Sequence, residues 1–171
     1  MPIKVFSRAV EPFKNFKFRV YVDGRLVAGV SKMSGLKSTA EAVSHRSGGD
    51  PSTPVVSPGA SKSEPVTLER GLTLDHTFED WAKTVLASLG DDDLSLGAMR
   101  RNVTIEVLNM QGVPAVRYNV FACWVSEYTA VPELDANANA IAIEKIVLQN
   151  QGFERDADFA GEDPNAFQPA A

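Results

Sequence analysis

The sequence predicts a mainly β protein carrying a single α-helix, and three observations support that expectation. Residues 116–128 (V-R-Y-N-V-F-A-C-W-V-S-E-Y) are β-branched and aromatic, with no helical period and no Gly or Pro. Shorter runs that alternate apolar and polar residues recur at 16–22, 66–72, 102–108 and 141–148. Helical period is clear in one stretch, where Phe78, Trp81, Ala82, Val85, Leu86 and Leu89 form a continuous apolar stripe.

Taken in order, residues 1–15 are mixed and hold Pro2 and Pro12, which suits an extended N-terminal arm. The domain proper then spans 16–155. Phe16, Phe18, Val20 and Val22 mark one face of a half-buried strand. Asp23-Gly24 follows as a two-residue hairpin turn, because glycine accepts the positive φ that such turns require. Leu26, Ala28 and Val30 continue a second strand, Ser34-Gly35 breaks it, and residues 37–46 form a third strand of small residues. Residues 47–65 hold four prolines and three glycines, which excludes helix and sheet interior and predicts a long loop. After a short strand at 66–72, Asp75 or Thr77 caps the start of the helix at 76–89 and Gly90 closes its end. Residues 91–93 (Asp-Asp-Asp) read as a solvated linker. The strand at 102–108 ends in a Met110-Gln111-Gly112 turn, and 156–171 loses all period and reads as a loose tail.

The long strand is unusual for a self-contained domain. At about 14 residues it spans roughly 45 Å, against a usual ~5–6 residues. By simple alternation, Val120, Ala122 and Trp124 take one face and Phe121, Cys123 and Val125 the other, so both faces are apolar in the middle. A strand apolar on both faces needs cover on both. In a chain of 171 residues, a second copy is one source of that cover.

Composition excludes several classes. An apolar content of 44% and a charged content of 23% are ordinary for a globular domain. A formal charge of −5 opposes non-specific nucleic-acid binding. The single Cys123 rules out an internal disulfide framework, and its apolar neighbours mark it as an inert core thiol. The start of the chain lacks a signal-peptide pattern, and no apolar run approaches a membrane span, so synthesis and assembly in the cytoplasm without membrane insertion are expected. Catalytic constellations are missing. His45 and His76 have no second histidine at ligand spacing, and Gly48-Gly49-Asp50 is followed by Pro51 rather than a helix. Glu144 and Lys145 are adjacent on a strand and face opposite ways. No cofactor, metal site or catalytic role is expected.

Several segments together resemble the tail tube proteins of contractile phage tails and related contractile injection systems. They are N-F-K-F-R-V-Y-V-D-G (15–24), V-A-G-V-S-K-M-S-G-L (27–36), L-E-R-G-L-T (68–73), the Trp81 helix, R-R-N-V-T-I-E-V-L-N-M-Q-G (100–112) and A-I-A-I-E-K-I-V-L-Q-N-Q-G (140–152). The central loop departs from the pattern: members carry a basic and aromatic segment where 55–64 is small and nearly neutral. The resemblance implies two packed antiparallel sheets, a barrel-like sandwich flanked by the helix, assembling into a ring-shaped β-barrel tube. It implies homo-hexameric rings stacked into a tube that conducts cargo or DNA, with sheath protein and baseplate or tube-initiator proteins as partners. On that reading Thr39, Glu41, Glu127 and Asn139 are lumen candidates. Phe121, Cys123, Val125 and Glu144 are subunit-interface candidates, and Asp50, Val55, Val56 and Lys62 are ring-stacking loop candidates. A ring protein like those of type VI secretion, carrying effectors, is the second reading. A monomeric β-barrel binding module is the third.

Overall fold

The computed structural model describes residues 17–46, 48–49, 54–87, 96–109, 111–137 and 140–159. The expected N-terminal arm, Asp50, the helix end at Leu89 and Gly90, the acidic run 91–93, Asn139 and the tail beyond residue 159 lie outside those residues. The elements are β1 (Phe18–Val22), β2 (Arg25–Val27), β3 (Val30–Met33), β4 (Ser38–His45), β5 (Val55–Ser63), β6 (Val66–Gly71), α1 (Thr77–Ala87), α2 (Leu96–Met99), β7 (Arg101–Leu108), β8 (Pro114–Thr129), β9 (Ile143–Gln149) and β10 (Phe153–Arg155).

The protein is mainly β, with two antiparallel sheets. Eight strands form the larger one in the order β2-β1-β7-β8-β9-β6-β3, with β10 paired to β8, while β4 and β5 form a separate pair. β2 and β3 are the two ends of the larger sheet, yet they are joined in sequence through Ala28-Gly29, with Gly29 at φ 77°. The sheet thus curls until its edges meet at a corner, but no ladder closes it into a barrel. That corner splits the single strand expected through Ala28 and Val30 into two. Asp23 (φ 48°) and Gly24 (φ 78°) form the expected hairpin turn, and Val22 pairs with Arg25 across it.

β8 is the long strand expected from its composition, and it links the two halves of the sheet. Its first part pairs with β7 and β10 and its second with β9. The expected alternation fails in the middle. Val103 pairs with Val120 and Arg101 with Cys123, so Phe121 and Ala122 together stand opposite Asn102. This is a β-bulge, with Ala122 at φ 49° and its N–H donating to Asn102 Oδ1 at 3.1 Å. The extra residue resets the parity of the strand, so Val120, Cys123 and Val125 all face the core. Phe121 and Trp124 face outward, each 39% exposed. β8 therefore has one buried face and one partly open aromatic face, not two buried ones.

One core cluster draws on both halves of the sheet. Val20, Val27, Ile105 and Val120 contribute from one half, and Leu68, Val125, Ile146 and Leu148 from the other. α1 lies over them with Phe78, Trp81 and Ala82 buried and Val85 packed at the margin. Leu86, expected in the stripe, is exposed, because the apolar face is narrower than its sequence spacing suggested. Asp75 starts the helix, its Oδ1 accepting from the Thr77 N–H at 3.1 Å and the Thr77 hydroxyl at 2.6 Å. Trp81 Nε1 donates to the Met99 carbonyl at 3.0 Å and so ties down α2, which the sequence reading did not anticipate.

Residues 55–63, expected as loop, are strand β5. The one proline of the strand, Pro58, fits because both strands of the β4–β5 pair are edges. Pro58 lies at a register shift, where the ladder is already interrupted. Gly59 is required there, since a Cβ at that position would fall 2.8 Å from Val43 Cγ2.

Candidate assembly surfaces

β3 and β6, and then β4 and β5, are two parts of one antiparallel ribbon. Met33 pairs with Leu68, the Ser34 N–H donates to the Thr67 carbonyl at 2.9 Å, the Glu64 N–H donates to the Lys37 carbonyl at 2.9 Å, and Ser38 pairs with Ser63. The register is unbroken across the gap, where Pro65 has no N–H to contribute. At this waist the Asn150 side chain donates to the Glu64 carbonyl at 2.9 Å. Beyond it, the two parts differ in their surroundings. β6 alternates strictly between buried and half-buried positions, whereas β4 and β5 contain no buried residue.

The packed part is anchored by a charge cluster. Arg70 is fully buried; its Nε donates to Glu144 Oε2 at 2.6 Å, its Nη1 to Asp75 Oδ2 at 2.7 Å and its Nη2 to the Asp75 carbonyl at 2.6 Å. The guanidinium lies 4.3 Å from the centre of the Phe78 ring. Glu144 also accepts from the Tyr128 hydroxyl at 2.6 Å. The cluster thereby joins β6, β9, β8 and the start of α1. Burial pulls the Arg70 pKa down, but hydrogen bonds to Glu144 and Asp75 outweigh it and hold the group above its ordinary value. Asp75 is held below the usual carboxylate range, chiefly by the Thr77 hydroxyl and then by Arg70. Tyr128 is pushed up by burial and by its bond to Glu144.

The structure sorts the candidate residues differently from the sequence. Thr39 and Lys62, expected in the lumen and in the stacking loop respectively, are register partners near the waist of the ribbon. The Thr39 hydroxyl donates to Glu64 Oε1 at 3.2 Å. Glu41 is exposed opposite the Gly59 bulge. Val55 and Val56 stand at the far end of the ribbon, 66% and 62% exposed. Glu127 lies on the open face of β8, 3.6 Å from Lys145 Nζ. Of the interface candidates, Phe121 is at the surface. Cys123, Val125 and Glu144 are buried inside their own chain, because the bulge turns the first two inward and Arg70 draws in the third. Their side chains offer no surface to another copy. Asp50 and Asn139 are outside the described residues.

The Arg70 cluster was missed by the sequence reading, although a signal was present. Arg70 shares parity with the buried Val66 and Leu68, and Glu144 with the buried Ile146 and Leu148. Two opposite charges on inward parity call for a buried pair. Elsewhere, an open cleft lined by Tyr21, Thr104, Glu106, Arg117, Asn119 and Asp156 is polar, but its charges are matched within the chain. Arg117 pairs with Glu106 at 2.6 Å and with Asp156 at 3.7 Å. Among the described residues no cluster of side chains suits a metal ion, and no helix is long and apolar enough to cross a membrane.

Comparison with known proteins bears on this geometry. Residues 14–154 match the T4-like virus tail tube protein gp19 family. Among solved structures, a chain in the sheath/tube terminator of the PVC extracellular contractile injection system, extended state, superposes with a TM-score of 0.72 at 25% identity, over 87% of this chain and 100% of that one. A chain of the PVC sheath-tube complex gives 0.70 at 24% identity, over 85% and 92%. A chain of the anti-feeding prophage tube-terminating cap gives 0.72 at 21% identity, over 91% and 99%. No curated protein matches the sequence significantly. The family match starts ahead of β1 and ends within β10, taking in the curled sheet, the ribbon and the helix that packs on them, and the chain therefore belongs to the T4-like virus tail tube protein gp19 family.

Proposed function

We propose that this chain is the inner-tube subunit of a contractile tail or injection particle, forming six-membered rings that stack around a lumen conducting cargo or DNA. The observation that carries this reading is the β4–β5 ribbon, seventeen residues in two strands (8 in β4 and 9 in β5) with no buried side chain. An isolated two-stranded pair is marginal in water, and its unpaired edges invite further strands. Ribbons from neighbouring copies would pair edge to edge, and closing the ring would leave no free edge. Thr39 and Glu41 on the ribbon, with Glu127 and Asn139, then face the lumen, and Phe121 with its neighbour Trp124 meets the adjacent subunit. Sheath and baseplate proteins are the expected partners, since similar chains come from a sheath-tube complex and a baseplate. The role is structural, with no catalysis.

Negative-stain microscopy and sedimentation of the purified chain at rising concentration test the proposal. Rings about one subunit thick and hollow rods are expected. A species that stays monomeric at all concentrations, even with the baseplate initiator added, refutes it. The alternative of a freely secreted type VI-like ring has weaker support, because the likeness to a type six secretion system protein is lower, with a TM-score of 0.51 at 11% identity. It predicts free rings in culture medium without sheath.

A further inference from the structure

A polar cleft opens on the face of β1, β7 and β8 that points away from the core. Tyr21, Thr104 and Asn119 stand opposite one another there, and Glu154 of β10 completes the row. The neighbouring row runs Arg19, Glu106 and Arg117, and at its end the Asp156 N–H donates to the Arg117 carbonyl at 2.9 Å. The alternate residues Val20, Val103, Ile105, Val116 and Val120 are buried, so both rows lie on the outer face. Arg19 and Glu154 are exposed and stand outside the cleft. The other members of the two rows line it, and its volume of about 350 Å³ falls within the ~300–1,000 Å³ of small-ligand sites.

The hydrogen-bonding groups of this cleft are unequally used. Arg117 is committed on every side: its Nε and Nη2 both donate to Glu106 Oε1, at 3.2 and 2.6 Å, its Nη1 is 3.7 Å from Asp156 Oδ2, and the Phe159 ring covers it at 4.1 Å. The acceptors are not. Glu106 is only 4% exposed, yet no described residue donates to its Oε2. Asp156 Oδ1 accepts from the Asp158 N–H at 3.2 Å, while Oδ2 has only the distant Arg117 Nη1. Asn119 Oδ1 accepts from the Thr104 hydroxyl at 3.1 Å and keeps a second lone pair. Two carboxylates share one guanidinium, so each is paired but the lining keeps one negative charge in excess. The group that satisfies such a lining is positively charged and donates several N–H bonds, and Tyr21 adds an aromatic ring to the wall.

We infer that this cleft binds an organic cation, a guanidinium or ammonium group, held between Glu106 and Asp156 with Tyr21 at the wall. The group comes from a basic side chain of a partner protein or from a free small cation. The site lies apart from the β4–β5 ribbon and from the Phe121–Trp124 surface, and it does not depend on the tube reading.

The test uses dilute, unassembled chain. Amide spectra are recorded as capped arginine is added, with capped citrulline as the uncharged isostere. Saturable low-millimolar shifts at Tyr21, Thr104 and Asn119 are expected for arginine alone, weakening severalfold in about 0.5 M salt. Glu106→Gln and Asp156→Asn keep the side-chain shapes and remove the charge, and each weakens binding by about tenfold. Arg19→Gln, which removes the exposed guanidinium opposite Glu106, leaves binding unchanged or tighter. Urea unfolding checks that each variant folds, and Asp156→Asn carries the test should Glu106→Gln not fold. Whichever of a capped Gly-Arg-Gly peptide and putrescine binds more tightly tells a partner's side chain from a free cation. Equal binding of citrulline, affinity indifferent to the carboxylate variants, or no saturable shift overturns the inference and leaves the tube reading standing.

Discussion

Replacing one member of the Arg70–Glu144 pair tests whether the charge cluster is what fastens the ribbon to the body. In Glu144→Leu, the guanidinium remains fully buried with Asp75 as its remaining charged partner, and the Tyr128 hydroxyl loses its acceptor. Removing one partner of a buried pair costs about 3–5 kcal/mol. Arg70→Met is the mirror case, stranding the Glu144 carboxylate with Tyr128 alone, and a similar cost of about 3–5 kcal/mol follows. If the two effects were independent, the double variant would lose about 6–10 kcal/mol. That equals most of the ~5–15 kcal/mol that holds a typical domain together. The cluster argues otherwise. With both charges gone, Met and Leu pack beside Ile146, Leu148 and Phe78, and the main residual defect is the Tyr128 hydroxyl, about 1–3 kcal/mol. The double variant should therefore be more stable than either single one. Urea unfolding of dilute, unassembled chain at neutral pH measures all four corners of the cycle. Additivity to within about 0.5 kcal/mol would refute the coupling.

Two further outcomes follow from local geometry and titration. Ala122 holds φ 49° in the bulge of β8; left-handed backbone costs a non-glycine residue about 1–2 kcal/mol, and glycine gives back ~0.4–1 kcal/mol in the unfolded chain. Ala122→Gly should accordingly raise the thermal midpoint slightly, and a lower midpoint would show that the bulge is unstrained. Burial pushes the Cys123 thiol from 9.0 up to about 12, and Tyr128 is raised from 10.0 by burial and Glu144. Both groups stay protonated in the folded chain and ionise more readily in the unfolded one. Their stabilisation is full below pH 9 and is lost as pH rises through the folded values. Urea midpoints should fall across that alkaline window, and Cys123→Ala should flatten the fall between pH 9 and 12.

Where the sequence was legible, the signal was local. The hairpin at Asp23-Gly24, the buried face of β1 and the stripe of Phe78, Trp81 and Ala82 all follow from period and turn chemistry within a few residues. The length of β8 was legible for the same reason. Its faces were not, because the bulge at Phe121-Ala122 is set by β7, which supplies only Asn102 opposite two residues. No Gly marks it in V-F-A-C-W-V, and a parity reset of this kind is a property of the pairing rather than of the strand. β5 was hidden by Pro58 and by the prolines that flank it in sequence; a proline breaks a sheet interior but fits an edge. β10 and α2, at three and four residues, are too short to show a period. Among the assembly candidates, exposure at Phe121, Val55 and Val56 depends on register, and register is fixed by partners distant in the sequence.

The register carried across the waist of the ribbon, from Met33–Leu68 to Ser38–Ser63, makes one separation of fold from assembly possible. Lys37 and Glu64 face each other through a backbone bond of 2.9 Å, so residues 38–63 can be excised and replaced by a two-residue Asn-Gly turn. None of the core cluster residues lies between those points. The Asn150 bond to the Glu64 carbonyl and the Arg70 cluster both remain. Replacing residues 38–63 by two residues lowers the closure cost by about 2 kcal/mol, so the excised chain should unfold in urea at or above the full-length midpoint. It should also lose rings and rods together in negative stain, because the edges that neighbouring copies would pair have gone. A shortened chain that no longer folds would mean that β4 and β5 support the core through contacts other than hydrogen bonds at the waist. A shortened chain that still builds rods would place the ring contact elsewhere, and the exposed face of β8 around Phe121 and Trp124 would become the surface to test.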